Sequence, residues 1–247
     1  MSAIRLDVGV SLAVAMAVLV VLAAVVARLT GIVPSRSIVT AAARATIQLA
    51  VVSAVIAAIV KSTGWTLVFL AFMFTVAIVT AGRRVSNSSV SRRWAAVPIL
   101  VAVVPIVAGL VIARVVPTGG ITLVPVTGIL IGGAMTATSL AGRRTLDELA
   151  VRRGEVEAAI SVGLTDRDAR WEICGPVAGQ ALVPGMDQTR TVGLVTLPGA
   201  FVGMLLGGAT AIEAGAVQLF VLVALLAVQM VAVAVTAELV ARGQLRR

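Results

Sequence analysis

The sequence has no histidine, no tyrosine, one cysteine and, among its 20 basic residues, a single lysine. Each shortage closes a class of function. With Cys174 alone and no histidine, no His/Cys metal cluster can be assembled, and a metal ligand has to be an oxygen or a methionine sulfur. An intramolecular disulfide is excluded for the same reason. The one lysine, Lys61, is followed by Ser62 but preceded by Val60 and an apolar run. The glycine-rich loop ending in Gly-Lys-Ser/Thr, whose amides and lysine hold nucleotide phosphates, is therefore absent. No Gly-x-Ser-x-Gly nucleophile elbow occurs either, so the chain is expected not to be an enzyme by itself. Five Phe and three Trp leave few platforms on which bases stack, and the net charge of +9 is not read as a nucleic-acid footprint. Acidic residues are scarce too. Eight of the 11 lie in 142–190, with Glu213 and Glu238 near the ends of apolar runs. A carrier driven by an ion gradient needs acids within its spans, so the energy for transport is expected from a partner.

What the chain has in quantity is apolar length. It is 60% hydrophobic and 13% charged, with a mean hydropathy of +1.10. A soluble domain is roughly half apolar, and a helix needs about 20 apolar residues to cross the hydrocarbon. Seven segments qualify: 8–27, 41–60, 65–82, 95–116, 121–141, 191–212 and 215–240. The first is read as a retained span, since it lacks the short apolar core and cleavage site of a signal peptide. With the amino terminus outside, 17 Lys and Arg fall in inside loops and 3 in outside loops. That is a strong positive-inside bias. The expected architecture is an all-α, polytopic transmembrane bundle of about seven spans, a single permease-type domain over 1–247. Its place is the plasma membrane, multi-pass, with the carboxy terminus in the cytoplasm.

The hydrophilic stretch 142–190 is expected in the cytoplasm at least in its first part, while 177–190, which carry less charge, can dip into the membrane. Charges of both signs alternate there with Leu, Val and Ala at helical spacing, the pattern of an amphipathic helix. Within it stand Glu157-Ala158-Ala159, then Gly163, and nine residues on Ile173-Cys174-Gly175-Pro176. This resembles the EAA loop of ABC-transporter permeases, departing from it at Gly175, where that pattern has Leu. The small alanines would let a short helix fit closely into a groove, Gly163 would allow a sharp turn, and Glu157 would meet a basic group. The resemblance implies that Glu157, Ala158, Ala159, Gly163, Ile173 and Pro176 couple the chain to an ATPase.

Further on, Thr189-Arg190-Thr191-Val192-Gly193-Leu194-Val195-Thr196-Leu197-Pro198-Gly199 resembles the Lys-Thr-Val-Gly-Leu-Val/Ile-Ser-Leu-Pro-Gly signature of one ABC-permease family. This FetB/YbbM-like family comprises bacterial iron-export permeases and plant aluminium-tolerance proteins. Arg44-Ala45 with Gln48-Leu49, Pro125 with Gly128, Ala134-Met135, Glu213-Ala214 and Gln218 fit other stretches of it. Gly133, Asp166 and Ala211 depart, standing where the family has Asn, Pro and Pro. The resemblance implies export of a metal ion such as iron, and a separate ABC ATP-binding subunit as partner. It further implies a homodimer in the bilayer, and no cofactor on this chain beyond ATP held by the partner. The alternative is a secondary transporter or channel for a small solute.

The expected translocation pathway draws on Arg44, Gln48, Asp187, Arg190, Pro198, Gly199, Glu213 and Gln218. Arg44 and Gln48 share a helix face, as do Gln218 and Gln229, where interhelical hydrogen bonding is the simpler role. Asp187 and Arg190 can pair at i, i+3. Pro198-Gly199 interrupts the sixth span, where backbone carbonyls can face a pathway. A hard metal ion would need oxygen ligands, but spacing alone assembles no cluster of them.

Overall fold

The computed structural model describes residues 9–59 and 62–246. The amino-terminal residues 1–8, whose placement outside was expected, lie beyond the described residues, as do Lys61 and Arg247. The described chain is helical apart from one isolated bridge, Val192 to Thr196. It forms two compact units, 1–61 and 62–247.

The first unit is a helical hairpin, α1 (Val10–Thr30) and α2 (Ser35–Ile59). α1 ends because Gly31 takes φ 66 and returns its N–H to the Ala27 carbonyl. Pro34 then precedes the second helix. Within α1 only Ala27 is buried. Val18 and Leu22 remain more than half exposed. Apolar helices bare on nearly every side suit a lipid solvent and not water.

The second unit holds α3 (Thr63–Val85), α4 (Ser89–Trp94), α5 (Ala96–Ile112) and α6 (Gly120–Val151). It continues with α7 (Arg153–Ser161), α8 (Asp166–Ala178), a 3₁₀ turn (Gly179–Leu182), α9 (Val183–Thr191), α10 (Gly199–Leu206) and α11 (Ala211–Ala241). Its core runs along α6 and α11, with α3, α5 and α8 around them. Ala81, Ala102, Ala134, Ala141, Ala232 and Ala237 are buried there among Ile99, Leu130 and Val228. Small residues let membrane helices approach until dispersion holds them, since lipid tails compete for any larger apolar surface. Polar side chains are absorbed locally. The hydroxyls of Thr75, Thr80 and Thr145 donate to carbonyls one turn back, at 2.8, 2.6 and 2.7 Å.

A second cluster fixes which helix ends share a face. Val85 at the end of α3, Cys174 of α8, Leu239 and Val240 at the end of α11, and Leu245 pack with Val97 of α5 and Leu146 and Leu149 of α6. The backbone N–H of Arg246 donates to Ser91 Oγ at 2.8 Å, and that hydroxyl donates to the Arg246 carbonyl at 2.9 Å. Arg83, Arg84, Arg92, Arg93, Arg143, Arg144 and Arg242 lie at these ends, which form the arginine face. α5 leaves that face, α6 returns to it, and α11 also ends on it. The stretch between α6 and α11 therefore has to cross to the other side.

Among the described residues, six helices are long and apolar enough to span a membrane, taking Ser89–Ile112 as one. The remaining crossing, expected over 191–212 with an interruption at Pro198–Gly199, is built in pieces. Helix stops at Thr191, Gly193 turns with φ 80, α10 is only 8 residues long, and Gly208 turns again with φ 94. α8, the 3₁₀ turn and α9 supply the rest. α6 also runs ten residues beyond the expected end at 141, because nothing between Gly142 and Val151 breaks a helix and Ala141, Gly142 and Thr145 are buried.

Candidate functional site

The residues singled out in sequence fall into two regions of the second unit. The first projects from the arginine face. α7 has no buried residue and packs chiefly on its chain neighbours α6 and α8. Ion pairs bridge its turns. Arg152 donates to Glu155 through two nitrogens, at 2.8 and 2.5 Å, and Arg153 pairs with Glu157 at 2.9 Å. The Arg152 hydrogen bond holds the Glu155 carboxyl below its ordinary range. Glu157 thus has an internal partner. Ala158 is exposed and Ala159 half-buried.

Gly163 ends this element with φ 102, and nothing lies within 4 Å of where a Cβ would stand. The turn therefore asks for glycine by its dihedral and not by crowding. Thr165 then caps α8, accepting the Asp168 N–H at 3.2 Å. Ile173 is 3% exposed and faces the core, while Pro176 is exposed in the last turn of α8. The expected coupling residues are thus one helix–turn–helix, free at α7 and anchored through α8.

The anchor is ionic as well as apolar. Arg167 Nε and Nη2 donate to Glu238 of α11 at 3.0 and 2.6 Å, and Nη1 donates to Asp168 at 2.8 Å. The guanidinium also lies 5.2 Å from the centre of the Trp171 ring. Glu238 accepts from Arg242 as well, at 2.6 Å. No spacing rule in the sequence links Arg167 to Glu238, which lie on elements separated by the whole broken crossing.

The second region is that crossing. Asp187 and Arg190 pair at 3.6 Å on α9, both largely exposed. Pro198 caps α10 with ψ 150 and Gly199 begins it. The Cβ positions of Gly199 and Gly203 are open, so their small-residue spacing serves no contact within the described chain. Glu213 is engaged locally. Its carboxylate accepts from the Thr210 N–H at 2.9 Å and hydroxyl at 2.8 Å, and Thr210 Oγ accepts the Glu213 N–H, a capping box that starts α11.

Gln218 and Gln229 are both buried on α11, and the carboxamide oxygen of each has no hydrogen-bond partner. Gln229 sits where Gly185 of α9 leaves room, and Leu225, one turn before it on α11, fills the room at Gly133 of α6. Arg144 of α6 donates to Gln180 in the 3₁₀ turn. Arg44 and Gln48 are exposed on α2 in the other unit, away from the residues that line its interhelical groove. Among the described residues, no three or more His, Cys, Asp or Glu side chains stand close enough together to hold a metal ion.

The profile of the family described as Uncharacterised protein family (UPF0014) matches residues 10–244. A UPF0014 membrane protein of Oryza sativa subsp. japonica, STAR2, is 38% identical over 184 residues, covering 74% of this chain and 65% of the relative. Protein ALUMINUM SENSITIVE 3 of Arabidopsis thaliana is 33% identical over 181 residues, 72% of this chain and 66% of its own. The probable iron export permease protein FetB of Escherichia coli (strain K12) is 29% identical over 123 residues, 46% of each. The chain spans just under two thirds of the length of the two plant relatives. No solved structure matches it.

Proposed function

Since this chain belongs to the UPF0014 family of membrane proteins, we propose that it is the membrane-spanning permease subunit of an ABC transporter, energised by a separate ATP-binding subunit and exporting a metal ion such as iron. α7 carries the assignment. A short helix with no buried residue, ended by a positive-φ glycine and followed by a helix tied into the core, has the form of a docking element. The arginine face is assigned to the cytoplasm, by the excess of arginine in its loops. There α7 meets the ATP-binding subunit, its outward alanines entering a groove. ATP is bound and hydrolysed in that partner. Two copies of the chain would form the pathway, with the open face of Gly199 and Gly203 available to a second copy. The name of the bacterial relative, a probable iron export permease, supports iron as the cargo.

The test is co-purification with the cognate ATP-binding subunit, together with metal efflux from liposomes holding both subunits. Ala158→Trp places a large side chain on an exposed alanine, so the free chain should fold normally. Gly163→Val should impair docking separately, because valine resists positive φ. An overpacked contact lowers association by about tenfold or more. Normal assembly and efflux in both variants, at matched thermal stability, would overturn the proposal.

A further inference from the structure

We infer that the corner between α3 and α4 is a binding site for the headgroup of an acidic phospholipid. Four arginines meet there. Arg83 and Arg84 close α3, and Arg92 and Arg93 lie on α4. The two elements touch main chain to main chain. A Cβ on Gly82 would stand 2.8 Å from the Arg92 carbonyl, so glycine is what lets both arginine pairs crowd onto one corner. Arg92 donates only to neutral groups, the Ser88 and Asn87 carbonyls, at 3.3 and 2.9 Å.

None of the four takes part in any of the seven ion pairs, all of which lie between Glu148 and Arg242. The sequence itself carries no Asp or Glu between Asp7 and Asp147. Charge of one sign is thus concentrated there, and none of the ion pairs among the described residues neutralises it. Like charges held together are unfavourable unless an anion from outside sits among them.

The setting specifies a lipid anion. The corner lies where α3 ends and the Ser89–Ile112 span begins, at the rim of the bilayer. Ser91 and Ala95 face inward, 5% and 0% exposed, and Ser91 clamps α4 to the Arg246 backbone. Val90 and Trp94, one turn apart, face outward at 68% and 36%. An exposed tryptophan beside arginines is the composition of the headgroup layer. The phosphate would accept hydrogen bonds from the guanidinium groups, while Val90 and Trp94 rest against the glycerol and upper acyl region.

Purified full-length chain in phosphatidylcholine nanodiscs, with and without phosphatidylglycerol, tests this by counting acidic lipids retained in native mass spectrometry after transfer to neutral detergent. Each basic residue near a membrane surface contributes about fivefold to affinity, so R83Q/R84Q and R92Q/R93Q should each lower retention about 20-fold. R152Q/R153Q removes equal charge from α7 and should leave retention unchanged. Equal losses in all three variants would reduce the effect to bulk attraction and overturn the site. So would undiminished lipid retention in the corner variants, including the case in which they lose an acidic protein partner instead. Gly82 meets Arg92 through backbone, so side-chain replacement should spare the fold. R83Q/R84Q carries the test if the other pair does not fold.

Discussion

Gln229 fills the room that Gly185 leaves, and that makes Gly185 a position whose side chain is dictated by a neighbour far along the chain. Adding a methyl group there drives it into the Gln229 carboxamide, which is itself buried on α11. Gly185→Ala is expected to destabilise the second unit by about 1–3 kcal/mol, the usual cost of overpacking. The same change in a Gln229→Ala background should cost much less, since the obstructing atoms are gone. A double-mutant cycle on detergent unfolding measures the difference, and additive costs would mean that α9 is not seated on α11 at this point. Sequence spacing places Gln218 and Gln229 on one face of a helix, which is correct. It says nothing of Gly185, because a glycine that serves by lacking a side chain leaves no periodic trace. Glu213 is the opposite case. Its place near a span end suggested a pathway residue, yet the Thr210-x-x-Glu213 pattern that marks a capping box was in the same four letters.

At the level of elements, helix existence was legible and helix continuity was not. Apolar runs of about 20 residues are read directly from hydropathy, and each of the six long helices coincides with one. The prolongation of α6 by ten residues and the division of the sixth crossing depend on what packs against the segment, a matter of tertiary contact. The helix–turn–helix of α7 and α8 was foreshadowed by Gly163, whose positive φ the motif required. Its attachment was not foreshadowed, since Arg167 and Glu238 meet only through the fold. That attachment is bidentate and shares its carboxylate with Arg242. Arg167→Gln should therefore quicken amide hydrogen exchange severalfold in the first turns of α8 and the end of α11, with α3 and α5 unchanged. Arg167→Glu combined with Glu238→Arg should recover much of the protection. Exchange in α8 indifferent to all three changes would mean that apolar packing alone holds it.

For the whole molecule, the count of crossings follows from contacts at one face. Ser91 bonded to Arg246, and Leu146 packed near Leu245, leave α8 to α10 no choice but to traverse. In a Cys174→Ser background, Ser88→Cys, Glu155→Cys and Gln244→Cys are expected to react with an impermeant maleimide from one side, and Thr118→Cys and Ala209→Cys from the other. Labelling of position 209 from the side that labels 88 would break the parity and with it the composite crossing. The gathering of the loop arginines at one set of helix ends was legible in sequence, because charge bias acts on loops and not on how a crossing is built. The prolonged α6 also sets a distance. Gly142 packs against Val85 at the level of the Arg83–Arg84 corner, and α7 begins 11 residues further on, which is about 16 Å along the helix axis. A headgroup layer is only some 5–8 Å deep, and fields in physiological salt decay over about 8 Å. α7 is thus carried on a stalk, clear of the lipid surface and about two Debye lengths from the arginines below it, so a subunit that seats on it engages at a stand-off where bilayer composition no longer sets the strength of its grip.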